Sequence, residues 1–165
     1  KPLYQNGIDS MAKDAPSRIA DLVIKRHFPA PLEKMFDLVT QKHHLLTWWG
    51  PEDVHIGDNN LDLSLRGAWF SVMINADATT HKVSGEVLAI DAPYSLVFSW
   101  GWHDENDVRG HESFVRFDIE DAGVIGASDT SFTLTHMNLP TEESARLHKG
   151  GWSSSLVKLE HLSDT

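Results

Sequence analysis

Apolar residues recur every third or fourth position near the start and at the end of the chain, and every second position in between. Leu32, Met35, Phe36 and Val39 form one stripe of a helix whose first turn suits Pro31, with its fixed φ. A second short helix is expected over residues 41–49, with Leu45, Trp48 and Trp49 at its apolar end and Gly50-Pro51 as its stop. Ahead of both, residues 18–28 read as a strand that Pro29-Ala30-Pro31 ends. From there the period is two, which predicts strands over 54–56, 61–65, 68–75, 82–90, 95–101, 112–119 and 130–136. Their separators carry turn chemistry, as in Gly57-Asp58-Asn59-Asn60, Asp91-Ala92-Pro93 and Asp121-Ala122-Gly123. Short links between successive strands imply antiparallel pairing.

The helical period returns over residues 141–162, where Ala145, His148, Trp152, Leu156, Leu159 and Leu162 share a stripe. Thr141 is placed to cap this helix, and Glu142 and Glu143 sit where its dipole favours negative charge. About 22 residues at ~1.5 Å each make a rod of ~33 Å, enough to cross a small domain. Gly150-Gly151 interrupts its middle, at about 1 kcal/mol per glycine relative to alanine, so a close approach or a bend is expected there. The predicted class is α+β: one strand, two short helices, an antiparallel meander giving a curved sheet of about six to seven strands, and a long closing helix gripped by that sheet.

A curved sheet around a helix leaves an inner concavity, the natural place for a small molecule. A dry void of ~300 Å³ would cost about 7 kcal/mol, so side chains, water or a ligand must fill it. Candidate pocket residues are Trp48, Trp49, Trp69, Met73, Phe98, Trp100, Phe117, Leu134, Trp152 and Leu156, with His136 and His148 as polar groups that orient a guest. His136 shares its strand face with Phe132 and Leu134, and His148 lies one turn before Trp152. For both histidines the competing expectation is structural: a core histidine bonded within the chain for His136, a half-exposed stripe edge for His148. The six tryptophans are likewise either walls or filler.

The net charge of −10 argues against nucleic acid and anionic membranes as partners. No apolar run approaches ~18 residues. The absence of cysteine removes thiol chemistry and disulfides and is compatible with a cytoplasmic location. Ten histidines are scattered without zinc-type spacing, and neither G-x-S-x-G nor a glycine-rich phosphate loop occurs, so no metal, cofactor or catalytic residue is assigned. Residues 1–17 read as a polar tail, with Met11 a candidate natural start that would make 1–10 an added leader; residues 18–165 read as a single domain.

The ordered set of Ile24-Lys25-Arg26-His27-Phe28-Pro29-Ala30-Pro31, Leu46-Thr47-Trp48-Trp49-Gly50-Pro51, Arg66-Gly67-Ala68-Trp69-Phe70, Gly85-Glu86-Val87-Leu88 with Leu96-Val97-Phe98-Ser99-Trp100, and Leu134-Thr135-His136 with His148, Gly151 and Trp152 resembles one family. It is that of the activator of Hsp90 ATPase, within the START-like and polyketide-cyclase-like helix-grip superfamily. Arg66 stands where that family commonly has a second glycine, and Gly150 doubles the glycine in the helix. The resemblance implies a bacterial-type stress or regulatory protein whose cavity takes a small hydrophobic molecule. It also leaves two competitors: a cyclase or hydrolase acting on a polyketide-like substrate, with His136 moving protons, and an ATPase-activating cofactor of an Hsp90-type chaperone. A chaperone and a second copy of the chain are thus further candidate partners.

Overall fold

Successive strands joined by short turns pair with their neighbours, and the first strand adds itself at the far end. The computed structural model describes residues 20–123 and 128–165; the tail expected over residues 1–17 lies outside them. In chain order the elements are β1 (Ala20–Phe28), α1 (Leu32–Thr40), α2 (Lys42–Trp48), β2 (His55–Asn59), β3 (Gly67–Ile74), β4 (Thr80–Asp91), β5 (Ser95–Trp102), β6 (Ser113–Asp121), β7 (Thr130–Leu139) and α3 (Glu142–Ser163). The seven strands form one antiparallel sheet in the order β1-β7-β6-β5-β4-β3-β2. This is the expected α+β layout.

Alternation decides the two faces. Trp69, Ser71 and Met73 on β3, Leu96, Phe98, Trp100 and Trp102 on β5, Ser113, Val115, Phe117 and Ile119 on β6, and Phe132, Leu134 and His136 on β7 are all buried. Cross-strand register keeps them together, with Trp100 opposite Ser113, Phe98 opposite Val115 and Val115 opposite His136. Trp69 therefore faces inward with Ser71 and Met73, which settles a face that apolar residues on both sides of β3 leave open in the sequence. The other face carries Phe70, Ser84, Gly101 and Arg116, the last paired with Asp118 at 2.9 Å.

The helix α3 lies across the inner face. Thr141 caps it as expected, its Oγ1 accepting from the Ser144 N–H at 3.0 Å. The helix runs unbroken through Gly150-Gly151, with Gly151 buried and Gly150 exposed. Of the predicted stripe it buries His148, Trp152, Leu156 and Leu159, with Ala145 and Leu162 half-buried, and it also buries Leu147 and the small Ser144, Gly151, Ser155 and Ser163, which let it lie close to its neighbours. Two bonds tie it to the segment after α2: the Glu52 N–H to Ser154 Oγ at 3.0 Å, and Lys158 Nζ to the Pro51 carbonyl at 3.3 Å.

One predicted strand is absent. Residues 61–65 alternate as expected, Leu61 and Leu63 fully buried and Leu65 exposed, yet they join no ladder. Asn59 accepts from the Leu61 N–H, Asp62 from the Ser64 N–H, and the Leu63 N–H donates to the Thr40 carbonyl at the end of α1. Side-chain acceptors and a helix terminus have taken the backbone groups that a neighbouring strand would need.

Candidate functional site

Trp49 stands at the α2 C-terminus because the helix stops there, Gly50 following with φ +83°. Its ring touches five others at centroid distances of 5.6–6.2 Å: Trp48, Trp69, Phe98, Trp100 and Trp152. Trp100 in turn meets Trp152 at 5.1 Å and His136 at 5.5 Å, and Phe117 packs on Phe98 at 5.3 Å. These rings come from α2, four strands and α3, so they bridge the two layers. All twelve predicted pocket residues, Met73, Leu134 and Leu156 included, are buried in this one cluster. Truncating its hub, Trp49→Ala, is expected to destabilise the protein by about 3–5 kcal/mol, read as a lower urea midpoint at constant slope.

The two histidines face one another across the cluster, with ring centroids 5.0 Å apart. Their hydrogen bonds fix both tautomers. The Trp152 indole N–H donates to His136 Nδ1 at 3.1 Å, which leaves the proton on Nε2, where it donates to Ser113 Oγ at 2.7 Å. The Ser113 hydroxyl in turn donates a hydrogen bond to the Trp100 carbonyl at 3.3 Å. On the other ring, the Trp102 N–H donates to His148 Nε2 at 2.9 Å, and Nδ1–H donates to the Ser144 carbonyl at 2.7 Å. Both nitrogens of both rings are thus engaged within the chain. This matches the structural expectation for His136, and it buries His148 where a half-exposed edge was the alternative.

Burial and the histidine beside it hold the His136 pKa well below the ordinary value. Burial lowers that of His148 to about 4, against a smaller opposing effect from the Ser144 backbone. Both rings are neutral at physiological pH. A proton shuttle at His136 would have to break an existing bond first, so the geometry favours a positioning and packing role.

The indole N–H groups sort into two sets. Those of Trp48, Trp49, Trp102 and Trp152 donate to the Leu38 carbonyl, Ser71 Oγ, His148 and His136 respectively. Those of Trp69 and Trp100 are buried with no acceptor among the described residues. Their rings are neighbours, 5.7 Å apart. Among the described residues no group of three or more His, Asp or Glu is gathered to hold a metal ion. No described helix is long and apolar enough to cross a membrane.

Residues 29–164 match the family model described as activator of Hsp90 ATPase homolog 1-like protein. The chain belongs to this family. Within it, the crystal structure of an AHSA1 protein from Silicibacter pomeroyi is 41% identical, covers 86% of this chain and 96% of its own, and superposes with a TM-score of 0.81. A Chromobacterium violaceum protein at 15% identity (88% and 97% covered, TM-score 0.76) and a Mycobacterium smegmatis protein at 21% (86% and 89%, TM-score 0.71) share the fold. No curated protein matches.

Two parts of this AHSA1-like core, Ser113 and Trp102, are absent from the predicted pocket set. The alternation Ser113-Val115-Phe117-Ile119 places Ser113 inward, but a small polar residue at a strand start carries no signal of its own. Trp102 lies in phase with Phe98 and Trp100, one residue beyond the predicted end of its strand.

Proposed function

We propose that this protein binds a small, mainly apolar molecule carrying one hydrogen-bond acceptor, held among the rings between the sheet and α3. The observation that supports this is the Trp100 N–H, buried without an acceptor among the described residues in the middle of an aromatic cluster, beside the equally unpaired Trp69 N–H. A buried unpaired donor costs about 1–3 kcal/mol, a penalty that an incoming carbonyl or ether oxygen removes. The aromatic surroundings supply the apolar contact that most of a small ligand's surface requires. Because Trp49 and Trp152 already span the gap, the guest is small and enters as these rings shift. The engaged histidines act as rigid props for Trp152 and Trp102 rather than as direct contacts.

The test is native mass spectrometry of protein from its own host, followed by thermal melting with a series of short-chain and cyclic ketones and esters. A bound small mass is expected. So is stabilisation of about 2.7 kcal/mol at a hundredfold excess over Kd. Trp100→Phe keeps most of the ring and removes the donor. The empty variant is expected to be as stable as the parent or more so, and to bind about tenfold more weakly, in line with a lost hydrogen bond of ~1.4 kcal/mol. No bound mass together with unchanged melting across the series would rule the proposal out.

A further inference from the structure

On the opposite, outer face of the sheet, three side chains from two stretches of the chain converge. Ser84 of β4 lies across from Phe70 and Gly101. Its Oγ is 2.6 Å from His103 Nε2, and His103 Nδ1 is 2.8 Å from the Asp107 carboxylate. We propose that Ser84, His103 and Asp107 form a nucleophilic site that hydrolyses small acyl esters, independently of the aromatic core. A serine–histidine–carboxylate relay is recognised by geometry and roles, not by order or spacing in the chain. Here the carboxylate fixes the proton on Nδ1, which leaves Nε2 to receive the Ser84 proton.

Three features hold the arrangement. Asp107 adopts φ +61°, a left-handed conformation uncommon for a residue with a Cβ. It is kept there by the loop, in which Asp104 accepts from the Asn106 and Val108 N–H groups at 2.8 and 2.9 Å. Lys82 lies 3.3 Å from the Asp107 carboxylate, and this bond, more than the contribution of His103, holds the carboxyl below its usual pKa. Arg109 lays its guanidinium over the strand, Nε 3.1 Å from Ser84 Oγ and Nη2 3.0 Å from the Ser84 carbonyl. Gly101 makes the room, since a Cβ there would stand 2.6 Å from Arg109 Cζ. A cation at the nucleophile lowers the energy of negative charge developing beside it.

In the reaction, Ser84 Oγ bonds to the ester carbonyl carbon as its proton moves to His103 Nε2. The tetrahedral intermediate collapses by breaking the bond to the alcohol oxygen, which leaves with that proton. Water, deprotonated by the same nitrogen, then cleaves the acyl-serine, releasing the carboxylic acid and restoring Ser84. Phe70, the cross-strand neighbour of Ser84, offers the acyl group an apolar ring. Ser84 and His103 are the catalytic residues, and Asp107 is a positioning residue.

The experiment is labelling with a fluorophosphonate, mapped by intact mass and peptide sequencing, alongside p-nitrophenyl acetate hydrolysis. The expected result is one adduct on Ser84, absent in Ser84→Ala, and formed at least about a hundredfold more slowly in His103→Gln. Asp107 has an exposed side chain, so Asp107→Asn is expected to slow adduct formation about tenfold or more with an unchanged melting temperature. Gly101→Ala, which needs only the flexible Arg109 to move, is expected to slow it with the fold intact. No adduct on Ser84, or hydrolysis equal in the parent and Ser84→Ala, would overturn the proposal.

Discussion

Replacing Gly85 with alanine is expected to destabilise the protein more than any other single methyl added to it. A Cβ built on Gly85 would stand 1.8 Å from the Ser99 carbonyl oxygen and 2.5 Å from its carbon, with Trp69 Nε1 at 2.8 Å. The first two atoms are backbone of the adjoining strand, so no rotamer change relieves the overlap. Strands β4 and β5 would have to part where the Ser99 hydroxyl already replaces a ladder partner by accepting the Glu86 N–H at 2.9 Å. Overpacking that rotamers can absorb costs typically ~1–3 kcal/mol. A backbone collision in the middle of the sheet is expected to exceed ~3 kcal/mol, a large fraction of a domain's ~5–15 kcal/mol. Expression yield and a denaturant titration measure it; a variant within ~1 kcal/mol of the parent would show that the strands part freely.

Acid is expected to weaken the fold in the window from about pH 6.5 to about pH 4. His148 has a folded pKa of about 4 against 6.5 for a free histidine, and that of His136 is also well lowered. Within that window the unfolded chain binds protons that the native core refuses, so stability rises with pH. The stabilisation is complete above about 6.5 and is lost as the pH falls towards the folded pKa. Each such histidine contributes a slope of about 1.36 kcal/mol per pH unit, or roughly 3 kcal/mol from His148 across the window. Urea titrations at half-unit steps read the slope. His148→Gln, whose side-chain carbonyl can still accept from Trp102, is expected to flatten it. A parent whose stability is level down to pH 4.5 would refute the neutral-core account.

The layout of strands and helices was legible because period two and period 3.6 are separated cleanly by turn residues. It failed over residues 61–65, where the alternation was real but hydrogen bonding was decided by Asn59, Asp62 and the end of α1. The inward aim of His136 followed from strict alternation, whereas the helical stripe left His148 open between the core and a half-exposed edge, and only the structure pairs the two rings. Their partners did not follow, because Ser113 and Trp102 reach them only through strand register and ring orientation. The Ser84–His103–Asp107 arrangement left no mark in the sequence at all. Its members sit 19 and 4 residues apart, on β4, just past the end of β5 and in the loop that follows, and only the β4–β5 register brings Ser84 to the other two.

The sheet's order has a consequence for how the molecule is made. Strands β2 to β7 each find a partner in the element synthesised just before or after, but β1 pairs only with β7, Ala20 opposite Leu139. On the ribosome β1 must therefore wait for its partner until β7 has emerged. Its apolar residues Leu22, Ile24 and Phe28 stay uncovered meanwhile. Contacts so distant along the chain slow folding, and until β7 is made the uncovered β1 is a ready target for a holdase.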